Sequence, residues 1–205
     1  MIPLMVDLTK KRVVIFGGGS VGARKARYFF LESEVVVYSR SFHTDFELIP
    51  CIKISLEIAQ NEEDIRMLIR NSALVVAATS DIRLNDLIRS AANNEGILCN
   101  VAAGKPGNVI LPAKITGSHY TIAVSTNGSV PAISRMIREH LEESYPDLDD
   151  IIELGEWIRD EFRTEHEECG NYNSVLYEAL HDPKIRKVLL SGQKAAREYI
   201  LENYT

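Results

Sequence analysis
The sequence predicts an α/β protein: a doubly wound parallel sheet, then a small α+β region, then a C-terminal helical domain. Three observations predict it. Short apolar runs alternate with helix-patterned segments from residue 12 to residue 101. Three glycines stand directly after the first apolar run and before the first helical pattern. Past residue 109 the alternation stops, and from Pro146 onward the chain is acidic and helically patterned.

The elements follow in order. Arg12-Val13-Val14-Ile15-Phe16 is an apolar run bounded by lysines and glycines, the pattern of a strand buried on both faces. The helix after it repeats Val21, Lys25 and Phe29 every four residues, with Ala23, Ala26 and Phe30 alongside. Val35-Val36-Val37-Tyr38 reads as the second strand and Ile52-Lys53-Ile54-Ser55-Leu56 as a weaker third. Asn61 is placed to cap a helix whose first turn, Glu62, Glu63 and Asp64, suits the positive end of the dipole. Leu74-Val75-Val76-Ala77-Ala78-Thr79 is the fourth strand. Ser80 or Asp81 then caps a helix with Leu84, Leu87, Ile88 and Ala91 on one face, ending near Gly96. Leu98-Cys99-Asn100-Val101 is the fifth strand. Strand and helix in strict alternation imply parallel pairing through right-handed crossovers.

Beyond this sheet, Val109-Ile110-Leu111-Pro112 and Thr121-Ile122-Ala123-Val124-Ser125 are two further strand candidates. Pro131 opens a helix carrying Ile133, Ile137 and Leu141. In the acidic tail Leu154, Ile158 and Phe162 form a stripe, and a break falls at Cys169-Gly170-Asn171. A last helix starts at Asp182-Pro183 and carries Ile185, Leu189, Ala196 and Ile200. Boundaries fall near 115 and 146.

Composition narrows the function classes. The chain has 205 residues, somewhat more than one domain of about 150. At 45% hydrophobic and 25% charged it has an average globular composition, which excludes disordered and collagen-like classes. No apolar run approaches the roughly 18 residues that span a bilayer. Met1 to Lys10 lacks a secretory pattern, and the three scattered cysteines (Cys51, Cys99, Cys169) form no disulfide framework, so a reducing cytoplasm is expected. Residues 1–96 carry 12 bases and 12 acids. Residues 97–138 carry four bases, Lys105, Lys114, Arg135 and Arg138, and no acid; residues 139–205 carry 7 bases and 17 acids. The acid-free stretch either attracts an anion or records buried strands that exclude carboxylates. Four bases so dispersed make no nucleic-acid stripe.

The glycine run carries the first chemistry. Gly17-Gly18-Gly19-Ser20-Val21-Gly22 fits G-x-G-x-x-G in a strand–turn–helix setting, the dinucleotide fingerprint of a Rossmann fold. Gly17 serves the tight turn, Gly19 the approach of a pyrophosphate, and Gly22 close helix–strand packing. The acidic ribose ligand usual at the end of the second strand is replaced by Ser39-Arg40-Ser41. Serines hydrogen-bond a ribose, and Arg40 suits an adenine or a 2′-phosphate, so NAD and NADP both stay open. No Tyr-x-x-x-Lys pair and no H-E-x-x-H occurs; His166-Glu167-Glu168-Cys169 stops short. His43, His119, His140 and His181 have no partner at metal-ligand spacing, and no metal site is expected. Ser125-Thr126-Asn127-Gly128-Ser129, between a strand and a helix, either holds a carboxylate or caps the helix.

The order of these pieces resembles the precorrin-2 dehydrogenase family, the N-terminal module of siroheme synthases. The resemblance rests on Leu4-Met5-Val6-Asp7-Leu8 before the first strand, the glycine loop with Arg24-Lys25-Ala26, and Val76-Ala77-Ala78-Thr79. It continues through Asn85, Asn100-Val101, Leu111-Pro112-Ala113 and Ser125-Thr126-Asn127-Gly128-Ser129-Val130-Pro131, covering about residues 1–140.

The resemblance implies NAD-dependent oxidation of precorrin-2 to sirohydrochlorin by a homodimer. It implies a Rossmann domain at 1–114, a dimerisation region at 115–145 and a helical domain at 146–205. Gly17, Gly19, Ser20, Val21 and Gly22 would bind the pyrophosphate, Ser39, Arg40 and Ser41 the adenosine half, and Thr79 a later part of the cofactor. The polycarboxylate substrate would meet Asn100, Lys105, Lys114, Ser125, Thr126, Ser129, Arg135 and Arg138. One departure stands out. Bifunctional members that also insert Fe²⁺ carry an Asp shortly after the Asn-Val pair, whereas residues 102–108 here contain no acid and the loop is about one residue short. Metal insertion requires a base for the pyrrole protons, so dehydrogenation without efficient ferrochelation is expected. His119 is the remaining candidate base. The rival readings are a non-catalytic nucleotide-sensing module, a small-substrate dehydrogenase, and a tetrapyrrole or metal carrier.

Overall fold
The computed structural model describes residues 1–162 and 171–204. The chain forms two compact units, Met1–Leu111 and Pro112–Thr205.

The first unit is a five-stranded parallel sheet. Its elements are β1 (Arg12–Phe16), α1 (Ser20–Phe29), β2 (Glu34–Ser39), a 3-10 turn (Thr44–Leu48), β3 (Ile52–Ser55), α2 (Glu62–Ile69), β4 (Ser72–Ala77), α3 (Ile82–Asn94) and β5 (Leu98–Val101). Strand order is β3-β2-β1-β4-β5. β1 lies in the middle, and both its faces are covered. Val13 and Ile15 join α1 residues Ala23, Ala26 and Phe29 in one core; Val14 and Phe16 join Ile65, Ile69, Ile88 and Ala91 of α2 and α3 in the other. This explains the unbroken apolar runs of β1 and β4. The face of α1 that packs is Gly22, Ala23, Ala26 and Phe29, and Val21 stays 36% exposed. The expected Val21–Lys25–Phe29 repeat therefore marks the helix but not its buried stripe. Chain order reverses between β1 and β4, which creates the crevice at the carboxyl ends of the strands where such sheets bind ligands.

The free edge of β5 is covered by residues 107–109. Cys99 N–H donates to Asn108 Oδ1 at 2.7 Å, Val109 N–H donates to Cys99 O at 3.1 Å, and Asn100 Nδ2 donates to Val109 O at 2.9 Å. These bonds correct the expected strand at Val109–Pro112. The segment is an irregular edge cover, its Val109 and Leu111 packed on the α1-side core. Pro112, with no N–H to give a ladder, separates it from the true strand.

That strand is β6 (Ala113–Thr116), paired antiparallel with β7 (Thr121–Val124) in the second unit. α4 (Pro131–Ser144) packs on this hairpin and buries Ser134. The helical part comprises α5 (Leu148–Phe162), α6 (Asn171–His181), α7 (Pro183–Leu189) and α8 (Gln193–Tyr204). Leu154, Ile158, Ala179, Ile185, Leu189, Ala196 and Ile200 form its core. The expected single last helix is two. Its four expected core residues are all buried, but the chain breaks before Gly192, whose φ of +105° no helix accommodates. The expected break at Cys169-Gly170 lies outside the described residues, as does His166. No helix among the described residues is long and apolar enough to cross a membrane.

Candidate cofactor site
The glycine loop joins β1 to α1 at the reversal of strand order. Gly17 has φ +117°, and a Cβ there would collide with Ala78 O at the end of β4. A Cβ on Gly22 would collide with Gly17 O, so the helix is drawn tightly onto the turn. Gly18, an unassigned position of the motif, is equally constrained. A Cβ there would collide with Ser41 O and stand 2.9 Å from Ser39 Cβ and Oγ, and Gly18 O accepts from His43 N–H at 2.7 Å. Gly19 differs: a Cβ there would meet no other atom within 4 Å. Three glycines close the loop on the protein and the fourth leaves an open face.

That open face lies at the start of α1. Gly19 is the N-cap and supplies no side-chain hydrogen bond, and the first turn of α1 holds no acid. The other two helices of this unit are closed. Asn61 Oδ1 accepts from Glu63 N–H at 3.0 Å in front of the acidic first turn of α2, and Asp81 Oδ1 accepts from Arg83 and Leu84 N–H at 2.8 and 3.3 Å in α3. α1 thus presents free N–H groups and positive dipole to an anion. Ser20 and Val21 are its first residues. Ser39 ends β2 and packs on Gly18, while Ser41 contributes its backbone to the same contact. Arg40 is exposed and 3.7 Å from Glu57. The residues present fit a dinucleotide: an open backbone face for the pyrophosphate, and hydroxyl and guanidinium groups beyond β2.

On the other side of the crevice stands a polar knot. Asn85 of α3 is fully buried. Its Oδ1 accepts from Thr79 N–H at 3.1 Å and from the Thr79 hydroxyl at 2.7 Å. Its Nδ2 donates to Thr79 O at 3.0 Å and to Ala103 O at 3.1 Å. Thr79, two residues past β4 rather than within it, also accepts from Asp81 N–H at 3.2 Å. Its hydroxyl is therefore held inward. Asn100 is buried at 6% exposure, its Nδ2 on Val109 O and its Oδ1 without a hydrogen-bond partner. Lys105 stands exposed on the loop 102–108. Beside that loop, Asp86 Oδ1 lies 3.7 Å from where a Gly104 Cβ would be and 3.7 Å from Arg89 Nε.

The remaining expected site residues belong to the second unit. Lys114 lies on β6 opposite Ala123. Arg135 donates to Glu139 at 2.8 Å, and Arg138 donates to Glu142 at 2.8 Å and to Glu139 at 3.1 Å. Arg135 holds the Glu139 carboxyl below its ordinary pKa. The expected cationic surface at Arg135 and Arg138 is thus largely neutralised by acids that begin one residue after the acid-free stretch. Around Ser125–Ser129 the hydroxyls serve the backbone: Asn127 N–H donates to Ser125 Oγ at 3.1 Å and Val130 N–H to Thr126 Oγ1 at 3.2 Å. These bonds order the turn ahead of α4, whose N-cap Val130 supplies no side-chain hydrogen bond. His119 sits in the β6–β7 turn, 3.5 Å from Glu156. Backbone N–H groups of Ser118 and His119 donate to Asp149 at 3.1 and 2.9 Å and hold its carboxyl below the usual range, tying the hairpin to α5. Among the described residues, no three His, Cys, Asp or Glu side chains gather into a metal-binding group.

The comparisons with known proteins follow this division. Residues 4–113 match the family model described as "Putative NAD(P)-binding", and residues 121–144 match "Sirohaem biosynthesis protein central". A precorrin-2 dehydrogenase of Methanosarcina barkeri is 31% identical over 191 residues, 90% of this chain and 84% of that protein. The chain belongs to the precorrin-2 dehydrogenase family. A siroheme synthase of Serratia proteamaculans is 27% identical over 98% of this chain, which spans only 43% of that longer protein. The solved structure of SirC, a precorrin-2 dehydrogenase, superposes with a TM-score of 0.72 over 98% of this chain and 100% of its own at 22% identity, which shows the shared fold. As in the family model, the first unit is an NAD(P)-binding domain.

Within this family frame, the structure gives two residues a role that the motif letters do not. Gly18 fills an x of the motif, yet its contact with Ser39–Ser41 admits no side chain. Asn85 was part of the resemblance only. Its signal was a polar residue on the apolar face of Leu84, Ile88 and Ala91, where a buried amide must find partners.

Proposed function
We propose that the chain catalyses NAD-dependent dehydrogenation of precorrin-2 to sirohydrochlorin in siroheme biosynthesis. The observation that carries this is the open Gly19 face at an uncapped α1, kept in a chain of this family. Gly17, Gly19, Ser20, Val21 and Gly22 hold the pyrophosphate; Ser39, Arg40 and Ser41 take the adenosine half; the Thr79 loop borders the remainder. When bound, the cofactor supplies the hydride acceptor, and the accompanying proton leaves to solvent. The chain's own contribution is placement of two reactants, the largest share of catalysis when no strong acid–base pair is required. Asn100, Lys105, Lys114, Ser125, Thr126, Ser129, Arg135 and Arg138 remain the proposed substrate contacts. The His119–Glu156 approach favours a structural role for that histidine over a base.

The second unit comprises a dimerisation region at 115–145 and a helical domain at 146–205, and the protein works as a cytoplasmic homodimer. Supporting the dimer, α4 leaves Val130, Ile133, Met136 and Ile137 exposed at 44, 43, 61 and 38%. Its expected apolar stripe is thus uncovered in one copy. Fe²⁺ insertion is inefficient because the loop 102–108 offers no carboxylate.

The test is anaerobic mixing of the protein with precorrin-2 and NAD⁺ or NADP⁺, followed by Fe²⁺ or Co²⁺. Sirohydrochlorin absorbance rising with NADH is the expected result, without faster metal insertion. Tight precorrin-2 binding with no reduced cofactor would replace this reading with a carrier. Dinucleotide binding without precorrin-2 binding would replace it with a sensing module.

A further inference from the structure
We infer that Asn85 is the positioning residue for the nicotinamide half of the cofactor, a role that rests on the dehydrogenase reading above. The two halves of the site are built differently. The adenosine and pyrophosphate side is backbone: Gly17, Gly18 and Gly22 packed against Ala78, Ser41 and the loop itself, with α1 open behind Gly19. A dinucleotide crossing the strand-order reversal continues over the carboxyl ends of β4 and β5. Those two strands end in separate loops, at Thr79 and at Ala103, and no ladder bond joins residues 79 and 103.

Asn85 joins them. One fully buried side chain spends both amide hydrogens on carbonyls of the two loops, Thr79 O and Ala103 O, and its oxygen on two Thr79 donors. Carboxamide chemistry is required. Only an amide presents an acceptor and two donors from one planar group of this size. An aspartate of the same shape would face two carbonyl oxygens with lone pairs. An alanine would leave Thr79 N–H, Thr79 O and Ala103 O to be satisfied elsewhere. The link fixes the distance between two loops that bound the nicotinamide end, and Asn85 makes no hydrogen bond to the glycine loop itself. A displacement near 1 Å of a reacting partner costs about 100-fold in rate.

The test uses Asn85→Asp in the full chain, with ADP-ribose affinity by calorimetry and single-turnover formation of NADH from precorrin-2 between pH 6 and pH 9. ADP-ribose lacks the nicotinamide and reports the half of the site that Asn85 does not touch. The expected result is ADP-ribose affinity within about twofold of wild type and a hydride-transfer rate reduced at least about tenfold. The deficit should deepen with rising pH, because the substituted carboxyl regains one donor when protonated and has none when ionised. Loss of ADP-ribose affinity together with rate would reduce Asn85 to a folding residue and overturn the inference. So would an unchanged rate and pH profile. If Asn85→Asp does not fold, Thr79→Val removes the 2.7 Å hydroxyl bond to Asn85 together with the hydroxyl's bonds to Asp81 N–H and O. It leaves the Asn85 amide bonded to Thr79 N–H, Thr79 O and Ala103 O. It should slow hydride transfer about threefold or more with ADP-ribose binding intact; an unchanged rate overturns the inference. Wild-type protein that binds no ADP-ribose would instead overturn the dehydrogenase reading itself.

Discussion
Alanine at two adjacent positions of the glycine loop should separate folding from nucleotide binding. At Gly18 a methyl group collides with Ser41 O and stands 2.9 Å from Ser39 Cβ and Oγ, so β2 and the loop must part. Overpacking of this kind costs about 1–3 kcal/mol. Each kcal/mol lowers the melting temperature of a domain this size by roughly 4 °C, so Gly18→Ala should melt about 4–12 °C early. At Gly19 the methyl group enters empty space, with φ −78° and ψ −177° open to any residue. A small capping loss is offset by the smaller entropy of the unfolded chain, leaving stability nearly unchanged. The cost falls on the ligand. Displacing a phosphate from one charge-assisted hydrogen bond loses about 1.5–3 kcal/mol, or roughly 10- to 100-fold in Kd. Differential scanning calorimetry and titration calorimetry with NAD⁺ read the two quantities separately. Gly19→Ala binding NAD⁺ as tightly as wild type would refute the placement of the pyrophosphate, whatever its melting temperature.

Three further outcomes are expected. Asp182 accepts Lys184 N–H, Tyr199 OH and Tyr204 OH, which hold its carboxyl below its ordinary pKa. Its stabilisation is present above the unfolded value of about 3.9 and is lost as pH falls through the lower folded value. Trp157, the single tryptophan, packs on the helical core, so its fluorescence should change on acidification below about pH 4, and Asp182→Asn should flatten that dependence. Met136→Asp or Ile137→Asp should convert a dimer to monomer in sedimentation velocity without lowering helicity; a dimer that persists removes α4 from the interface. Glu139→Gln releases Arg135 and one contact of Arg138, so precorrin-2 should bind more tightly, and the gain should fade with added salt.

The sheet was legible because its central strands β2, β1 and β4 are buried on both faces and each crossover has its own punctuation: the glycine turn, Asn61, Asp81 and Gly96. Strand ends at Thr79 and Val109 were misread for one reason. Apolar composition reports packing, and both segments are half-buried and held by side-chain hydrogen bonds, from Asn85 and Asn100, in place of a continuous ladder. The glycine motif told which backbone positions matter but not which contact each serves. Gly18 and Gly19 are indistinguishable as letters; one is walled and the other open only once Ser39–Ser41 has returned past the loop. In the second unit, the repeat of Ile133 and Ile137 marks the helix, while its buried position is Ser134. Periodicity alone does not distinguish an apolar stripe that packs within a chain from one left exposed, as Ile133 and Ile137 are here.

The charge pattern carries a similar lesson for substrate recognition. Counting along the chain isolates four bases without acids at 97–138, yet a helix brings residues four apart together, and Glu139 and Glu142 follow Arg135 and Arg138 at that spacing. These ion pairs are on the surface, where water screens the attraction and holding two long side chains offsets much of the gain. A ligand carboxylate that replaces Glu139 or Glu142 exchanges one guanidinium hydrogen bond for another at small cost. The arginines are therefore held in place and remain available. Were a polycarboxylate macrocycle to dock there as proposed, its contacts would be preformed and individually weak, a combination that favours orientation over tight retention.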